Sequence, residues 1–252
     1  MNKKVLITGM SGLIGGLIGK RLMDKGGYDI SSLNRRPVAD VKNFQADISD
    51  LEAIKPAFVD KDIVVHMAAH SGEAAFEELL KSNVIGTYNV FEASRLAGVK
   101  RIIFASTGSV IRGFELVSPY DKVASGTYDG PPQSWQMVTH EMFRPSGIYG
   151  ASKMWGEALA RHYSDAYGLS IICVRIGGVP KDNTPRQPRQ FSIYLSHSDV
   201  TQIIERCIEA PDHVKFDTFL ATSNNKWNYR DLDHARDILG FIPEDTADNF
   251  PR

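Results

Sequence analysis

The stretch "VLITGMSGLIGG" at residues 5–16 constrains the fold more than any other part of the chain. A short apolar run is followed by Gly9, Gly12 and Gly15, three residues apart, and by a helical pattern from about Ser11 to Lys25. Glycines at this spacing permit a tight turn, close approach of a pyrophosphate to the backbone and close helix packing. The first helical turn adds N–H donors and a positive dipole end. The order of strand, glycines and helix therefore predicts a dinucleotide-binding site.

Short β-rich runs alternate with helical patterns along the rest of the chain. These runs are "KVLITG", "YDISSL", "NFQAD", "DIVVHMA", "RIIFAS" and "SIICVRI". Strands that alternate with helices and are apolar on both faces indicate a parallel sheet covered on both sides. We therefore predict an α/β fold, a Rossmann-type doubly wound parallel sheet, as a single domain over residues 1–252.

Two proline-containing stretches interrupt this alternation, at 113–145 and 179–190. Loops this long in a compact domain are usually functional or disordered. In open α/β sheets, ligands bind beyond the carboxyl ends of the strands, where both stretches begin. We expect segments of about 113–147 and 179–252 to form a small, largely C-terminal substrate lobe.

Composition narrows the class of partner. The formal net charge of −1 gives no electrostatic reason to expect nucleic acid or an anionic membrane. No run of 18 apolar residues occurs, and the glycine-rich N-terminus lacks a convincing signal-peptide cleavage site. Cys173 and Cys207 lie in apolar runs, which suits a reducing cytoplasm. The seven histidines show no metal-ligand spacing. We expect a cytoplasmic protein with a small-molecule partner and no bound metal.

The end of the second predicted strand bears on the choice of cofactor. An acidic residue here would bind the ribose 2′-hydroxyl of NAD, but the sequence reads "SLNRRP". Arg35 and Arg36, after Asn34, suit the additional phosphate of NADP through charge-assisted hydrogen bonds. The sequence favours NADP over NAD, although these arginines could also form an ordinary solvated turn.

A possible catalytic pair lies in "IYGASKMWGE", where Tyr149 and Lys153 are four residues apart. A phenol with a pKa of about 10 is a poor base at neutral pH, but a lysine one helical turn away favours the phenolate. The spacing alone is common, and the two could simply share a helix face.

Taken together, these motifs resemble those of the extended-type short-chain dehydrogenase/reductases. The resemblance covers about 150 residues and includes the glycines, "ADISD", "HMAA", "NVIGT", "AST" and the Tyr149–Lys153 pair. It implies that Tyr149 is a general base, with Thr107 and Lys153 completing a catalytic trio. The cofactor-binding residues that we predict are Gly9, Ser11, Gly12, Leu13, Ile14, Gly15, Asn34, Arg35, Arg36, Asp47, Ile48, Met67, Ala68, Ala69, Asn83, Tyr149, Lys153 and Ile176.

Within that superfamily, the C-terminal part resembles uronate dehydrogenases and archaeal-type glucose-6-phosphate dehydrogenases. The resemblance implies oxidation of the anomeric hydroxyl of an acidic, phosphorylated or sulfonated hexose to a lactone. The substrate-binding residues that we predict are Ser71, Thr107, Gly108, Ser109, Gly178 and Arg189. Two features differ from that group. Thr107, Gly108 and Ser109 stand where the uronate enzymes have Ser-Asn-His, and the segment 113–137 is longer than usual.

Two alternative functions remain. A nucleotide-sugar epimerase or dehydratase would retain its cofactor through a cycle, but only 77 residues follow Arg175, which leaves little chain to enclose a nucleoside diphosphate. A non-catalytic cofactor sensor is disfavoured by the intact trio. Lys181, Arg186 and Arg189 could meet a substrate anion or form a solvated loop. By resemblance, we also expect a homo-oligomer that associates through helices near 76–96 and 152–167.

Overall fold

A computed structural model describes residues 2–251. The first part of the chain contains β1 (Lys3–Thr8), α1 (Leu13–Lys25), β2 (Tyr28–Asn34), β3 (Lys42–Gln45), α2 (Leu51–Phe58) and β4 (Ile63–His66). A continuous helical run follows, made of α3 (Phe76–Leu79), a π-helical segment (Leu80–Ile85) and α4 (Gly86–Leu96), and leads to β5 (Arg101–Thr107).

The second part begins with two 3₁₀ helices, Gly108–Val110 and Arg112–Leu116. It continues with α5 (Tyr120–Ser125), α6 (Gly147–Tyr167), β6 (Ser170–Ile176), α7 (Gln190–Ile193), α8 (His197–Glu209), β7 (Phe216–Ala221), α9 (Asp233–Leu239) and a 3₁₀ turn (Ala247–Asn249). Among the described residues, no helix is both long and apolar enough to cross a membrane.

The seven strands form one sheet in the order β3-β2-β1-β4-β5-β6-β7, and every neighbouring pair is parallel. Strands β1 to β3 extend the sheet toward one edge, and β4 to β7 extend it toward the other. β1 and β4 therefore meet where the strand order reverses, which is the point where such sheets bind ligands. The predicted Rossmann-type fold is confirmed. Sequence analysis did not identify β7, because this edge strand lies inside the segment assigned to the substrate lobe.

The alternation of side chains along the strands fills an apolar layer on each face. On β1, Val5 and Ile7 pack into one layer with α1 and α8, whereas Leu6 points into the other with α2, α4 and α6. The two free cysteines are buried in opposite layers, Cys207 in the first and Cys173 in the second. The sheet therefore separates them, and they pack as core residues.

The segments predicted to form the substrate lobe pack against each other. Tyr120, Trp135 and Val138 from the first segment share an apolar cluster with Ile193 and Tyr229 from the second. The backbone N–H of Val138 donates to the carbonyl of Tyr229 at 2.8 Å, and its carbonyl accepts from Asp231 at 2.9 Å. This short parallel bridge fixes the first segment to the C-terminal part of the chain.

The starts of two helices concern the site. Helix α1 begins at Leu13, two residues after the predicted start, because Gly12, with extended backbone, occupies the N-cap position. Helix α6 begins at Gly147. Tyr149 and Lys153 therefore lie one above the other in the first two turns of α6.

Candidate active site

A cavity of about 760 Å³ opens at the carboxyl ends of the strands. The sequence-predicted residues that line it are Gly9, Ser11, Gly12, Leu13, Ile14, Gly15, Asn34, Arg35, Arg36, Asp47, Ile48, Met67, Ala68, Ala69, Ser71, Thr107, Tyr149, Lys153 and Ile176. Seven further residues line it and were not predicted, namely Leu33, Ala46, Ser82, Ala105, Ser106, Gly177 and Val179. Each lies within two residues of a predicted position, so proximity along the chain was the available signal.

The glycine-rich loop forms one end of this cavity. Gly9 has a φ of 73°, and a Cβ atom there would lie 2.7 Å from the backbone nitrogen of Ala68. A Cβ atom on Gly15 would lie 2.8 Å from Cα of Met10. The Gly12 N-cap has no side chain to bond the first-turn N–H groups of α1, and that turn contains no acidic residue. These free donors fit a pyrophosphate group.

The end of β2 is organised around Asn34, whose side chain is buried. Its Oδ1 accepts from the backbone N–H of Ser11 at 3.0 Å, and its Nδ2 donates to Asn43 at 3.0 Å. Asn34 therefore holds the glycine-rich loop against the sheet. The side chains beyond it, Arg35 and Arg36, are exposed at the cavity wall.

Asp47 lines the part of the cavity where the resemblance implies that the adenine of the cofactor binds. Its carboxylate accepts from the backbone and the hydroxyl of Ser49 and lies 3.2 Å from Nζ of Lys81. Burial raises the pKa of Asp47, but the bonds from Ser49 and Lys81 outweigh burial, and the pKa lies below its ordinary value. Asp47 is therefore an ionised acceptor at neutral pH.

Asn83, predicted to bind cofactor, does not line the cavity. The structure buries it completely, and its amide bonds both backbone groups of His70, at 2.8 and 3.1 Å. It also donates to Ser152 on α6 at 3.1 Å. Asn83 thus ties the loop after β4 to the helix that carries Tyr149 and Lys153.

Thr107 and Tyr149 both line the cavity, and the side chain of Thr107 acts on the phenol. The oxygen of Thr107 accepts from the backbone N–H of Ser109 at 3.2 Å, which leaves the hydroxyl hydrogen free to donate to the phenol. Burial raises the pKa of Tyr149, and the bond from Thr107 opposes this shift without cancelling it. Thr107 therefore favours the phenolate.

Lys153 is fully buried beneath the phenol. Its Nζ donates to the backbone carbonyl of Ala105 at 2.7 Å and lies 4.7 Å from the ring centroid of Phe104. Burial lowers the pKa of Lys153 to about 8, although nearby negative charge opposes this. Sequence analysis expected Lys153 to favour the phenolate; in the structure, the group that lowers the pKa of Tyr149 is Thr107.

A buried ion pair supports the strand ends below this site. Nε and Nη2 of Arg175 on β6 donate to the two carboxylate oxygens of Glu157 on α6, at 2.9 and 2.8 Å. Ser106, next to Thr107, donates to the same carboxylate. Arg175 also donates to the carbonyls of His140 and Met142 at 3.0 and 2.7 Å. Sequence analysis missed this pair, and its only signal was an arginine inside an apolar strand.

Four residues predicted to bind substrate do not line the cavity, namely Gly108, Ser109, Gly178 and Arg189. Both oxygens of Glu115 accept from Arg189, at 2.6 and 2.8 Å, and Tyr229 donates to the same carboxylate at 2.6 Å. Burial raises the pKa of Glu115, but the bonds and charge of Arg189 bring it below its ordinary value. The charge of Arg189 is thus already compensated within the protein.

Away from the cavity, the fold gathers His140, Asp217 and His234, which are distant in sequence. The two imidazole rings stack with centroids 3.8 Å apart and planes within 10°, and His234 bonds Asp217 at 2.8 Å. In-plane lone pairs of parallel rings do not converge on one ion, as tetrahedral coordination requires. The expectation that the chain binds no metal stays a prediction.

The fold and the cavity define a dinucleotide-binding α/β protein. The sequence pattern of the NAD dependent epimerase/dehydratase family matches residues 5–239, so the chain belongs to that family. NAD-dependent glucose-6-phosphate dehydrogenase of Haloferax volcanii is 30% identical over 261 residues, which cover 99% of this chain and 96% of that protein. Uronate dehydrogenase of Pseudomonas putida is 32% identical over 255 residues, which cover 98% and 86%.

Solved structures show the same relationship. The crystal structure of a mutant of uronate dehydrogenase from Agrobacterium tumefaciens, complexed with NAD, has a TM-score of 0.82 at 30% identity. The similarity covers 99% of this chain and 88% of that chain. These comparisons confirm the predicted family, the fold and the enzyme class, an oxidoreductase.

Proposed function

We propose that the protein is an NAD(P)-dependent sugar dehydrogenase that oxidises the anomeric hydroxyl of an acidic, phosphorylated or sulfonated hexose to the lactone. The observation that carries this proposal is the meeting of Thr107, Tyr149 and Lys153 at the inner end of a cavity that begins at the glycine-rich loop. The names of the related sugar dehydrogenases support the same reaction.

In this proposal, Tyr149 accepts the proton of the substrate hydroxyl. Thr107 donates to the phenol oxygen and so favours its deprotonated form. Lys153 places a positive charge below the site and, by resemblance, holds the ribose of the cofactor. A nicotinamide cofactor bound here supplies the acceptor for the hydride that leaves the substrate carbon.

The cofactor is proposed to be NADP in preference to NAD. The only side chains of the β2 end that are exposed toward the cavity in the described chain are basic, Arg35 and Arg36. Asn34 carries no negative charge, and its amide is held by bonds to Ser11 and Asn43. One relative is named as NAD-dependent, and one related structure is a complex with NAD. The two cofactors must therefore be compared directly.

The substrate is proposed to enter where the two packed segments, about 113–147 and 179–252, meet the cavity. Ser71 and Thr107 reach the cavity directly. Gly108 and Ser109 follow Thr107, and Gly178 lies between two lining residues, so each is within one or two residues of the wall. A monosaccharide suits this arrangement better than a nucleotide-sugar.

A homo-oligomer is proposed on the exposed apolar side chains of the long helices. Phe76, Ile85, Tyr88 and Leu96 are 42–57% exposed, and Tyr167 on α6 is 50% exposed. Packing these faces against a second copy would remove them from water. Sedimentation velocity tests this, since a Tyr88→Glu/Leu96→Glu variant is expected to shift the protein to the monomer.

The decisive experiment is a substrate panel. Purified protein is mixed with hexuronates, hexose 6-phosphates, 6-sulfonated hexoses and neutral aldoses, each with NAD and with NADP, while reduced nicotinamide is followed by absorbance. We expect reduced cofactor and a lactone with an acidic sugar. The proposal is wrong if no aldose yields reduced cofactor, and conversion of a nucleotide-sugar without net reduction would instead indicate an epimerase or dehydratase.

A further inference from the structure

Arg230, between β7 and α9, carries a buried charge with unused hydrogen-bond donors. The residue is 1% exposed, and neither Nε nor Nη1 has a hydrogen-bond partner within the described part of the protein. A guanidinium remains protonated in proteins. Buried charges are normally paired, because burying one without partners is costly. The free donors of Arg230 therefore need a partner that the described residues do not supply.

The other two buried arginines show what satisfied partners look like in this fold. Arg175 bonds the carboxylate of Glu157 and two backbone carbonyls. Arg101 bonds the hydroxyl of Ser170 and several carbonyls around residue 210. Both hold elements of the fold together. Arg230 is buried to the same degree and lies 5.5 Å from the ring centroid of Tyr229, but its Nε and Nη1 lack such hydrogen bonds.

The guanidinium of Arg230 lies behind the ends of β5 and β6, next to the catalytic residues. A Cβ atom on Gly108 would lie 3.0 Å from Cζ of Arg230, and one on Gly177 would lie 3.2 Å from Nη1. Gly108 directly follows Thr107, and Gly177 lines the cavity. The guanidinium thus fills the space beside Gly108 that any other side chain at 108 would occupy.

Positive charge exceeds negative charge around Glu115. The charge of Arg230 helps to lower the pKa of Glu115, whose carboxylate is already bound by Nε and Nη2 of Arg189 and by the hydroxyl of Tyr229. Arg112 also lies 3.8 Å from this carboxylate. Three guanidinium groups therefore share one carboxylate. An anion that enters this region would compensate charge and would not need to break the Glu115–Arg189 pair.

The backbone of Arg230 is held firmly in place. Its N–H donates to Oδ1 of Asn228 at 3.0 Å, and its carbonyl accepts from Nδ2 of the same residue at 2.6 Å. Residues on either side bond the backbone of Val138. Binding at the guanidinium therefore requires little ordering of the main chain, which lowers the entropic cost of recognition.

We propose that Arg230 recognises the anionic group of the substrate, a carboxylate, phosphate or sulfonate carried by the sugar. The free Nε–H and Nη1–H donors bond its oxygens, and Nη1 lies on the side of Gly177, which lines the cavity. This assigns substrate specificity to Arg230 and leaves Arg189, which the sequence favoured, as the partner of Glu115. The inference deepens the proposed function and rests on it for the identity of the sugar.

The first test compares acidic and neutral sugars in an Arg230→Met variant. We expect the KM of the preferred acidic sugar to rise about ten- to hundredfold, the loss expected for charged hydrogen bonds, with kcat nearly unchanged. The KM of a neutral aldose should stay within about twofold of wild type. Comparison of the KM changes for hexuronate, hexose 6-phosphate and 6-sulfonated hexose identifies the anion. An unchanged KM for every acidic sugar, or an equal rise for neutral sugars, overturns the proposal.

A second variant covers the possibility that Arg230→Met perturbs packing. Gly108→Ala adds a methyl group that must displace the guanidinium, and we expect it to weaken acidic sugars selectively as well. Arg236→Met, which removes an exposed arginine on α9, is the matched control and should behave as wild type. If Arg230→Met unfolds the protein, Arg230 is a structural residue and the inference is wrong.

A binding measurement separates this inference from the proposed function. Thermal unfolding of wild type, Arg230→Met and Arg236→Met is followed with increasing inorganic phosphate or sodium hexuronate at constant ionic strength. We expect a rise in Tm for wild type and the control that is absent in Arg230→Met. If the anion stabilises wild type but no sugar is oxidised, the dehydrogenase proposal fails and the anion site stands. Equal stabilisation of all three proteins would show that the anion does not bind at Arg230.

Discussion

Arg189 and Glu115 form a two-pronged ion pair, with Nε to Oε2 at 2.6 Å and Nη2 to Oε1 at 2.8 Å. The pair joins the segment after β5 to the segment before α7, and Tyr229 adds a third bond from the C-terminal part. An arginine that sequence comparison assigns to substrate binding is therefore part of the scaffold that holds the two lobe segments together.

We expect Glu115→Gln to destabilise the protein, because it leaves Arg189 without a charged partner. The loss of unfolding free energy should be about 1–3 kcal/mol, less than for a fully buried pair because Arg189 is partly exposed. Urea unfolding measures it, and the double variant Glu115→Gln/Arg189→Gln should recover part of the loss. Wild-type stability in the single variant would show that the pair does not hold the segments together.

Tyr149→Phe should abolish turnover while leaving cofactor affinity within about twofold of wild type, because only the proton acceptor is removed. The expected loss is about 10²- to 10⁴-fold in kcat, the range for general base catalysis. Steady-state rates and a cofactor titration by fluorescence measure the two quantities. Turnover at the wild-type rate would exclude Tyr149 as the base.

The pH dependence should report the bond between Thr107 and Tyr149. A base acts when deprotonated, so kcat/KM should rise as the pH approaches the pKa of Tyr149. Removing the donor in Thr107→Val should raise that pKa and move the whole rise to higher pH. Thr107→Ser keeps the donor and is the control. Superimposable profiles for all three proteins would mean that Thr107 does not act on the phenol.

Lys153→Met should separate stability from activity. The ammonium is fully buried with a pKa of about 8, and among described residues it donates to the carbonyl of Ala105 rather than to a carboxylate. Replacing it with an apolar side chain should leave unfolding free energy at pH 7 unchanged or higher. Turnover should fall at least about hundredfold. A variant that is unstable but active would show that Lys153 contributes to stability and not to turnover.

His66 should make the fold sensitive to acid. Burial, with the nearby charge of Lys153, lowers its pKa from 6.5 to about 3, and Nδ1 bonds the hydroxyl of Thr8 at 2.8 Å. The unfolded chain takes up this proton first. Stability from neutral His66 is therefore complete above pH 6.5 and declines as the pH falls toward 3, by about 1.4 kcal/mol per pH unit.

The measurement is urea unfolding between pH 7 and 4. His66→Gln should unfold more easily at pH 7 and show a slope smaller by about one proton over this range. His162→Gln, which changes an exposed histidine on α6, is the matched control and should keep the wild-type slope. Equal slopes in the two variants would mean that His66 does not control acid unfolding.

Cofactor choice should depend on Arg35 and Arg36. We expect wild type to use NADP with a higher kcat/KM than NAD. Arg35→Ser/Arg36→Ser should lower kcat/KM for NADP by about tenfold or more and leave NAD within about twofold, because only the additional phosphate loses its partners. Parallel rates with the two cofactors measure this. An equal effect on both would assign the arginines to a solvated turn.

Much of the fold and the cofactor cavity could be predicted from the sequence, because both depend on local patterns. Strand and helix periodicities specify a doubly wound parallel sheet, and that topology brings strand ends together at one edge. Gly9 and Gly15 are informative because the φ of 73° at Gly9 favours glycine and a Cβ atom on Gly15 would lie 2.8 Å from Cα of Met10. Tyr149 and Lys153 lie on one face of a helix, so a spacing of four residues is enough to place them together.

The tertiary structure alone decided which distant polar side chains meet. Arg189 pairs with Glu115, Asn83 bonds His70 and Ser152, and Arg230 reaches Gly108 across more than a hundred residues of chain. No periodicity encodes such contacts, since they depend on how two irregular segments pack over the sheet. The sequence by itself therefore determined the fold and placed Tyr149 and Lys153 one helical turn apart. Packing decided that Arg189 pairs with Glu115 and that Nε and Nη1 of Arg230 have no hydrogen-bond partner among the described residues.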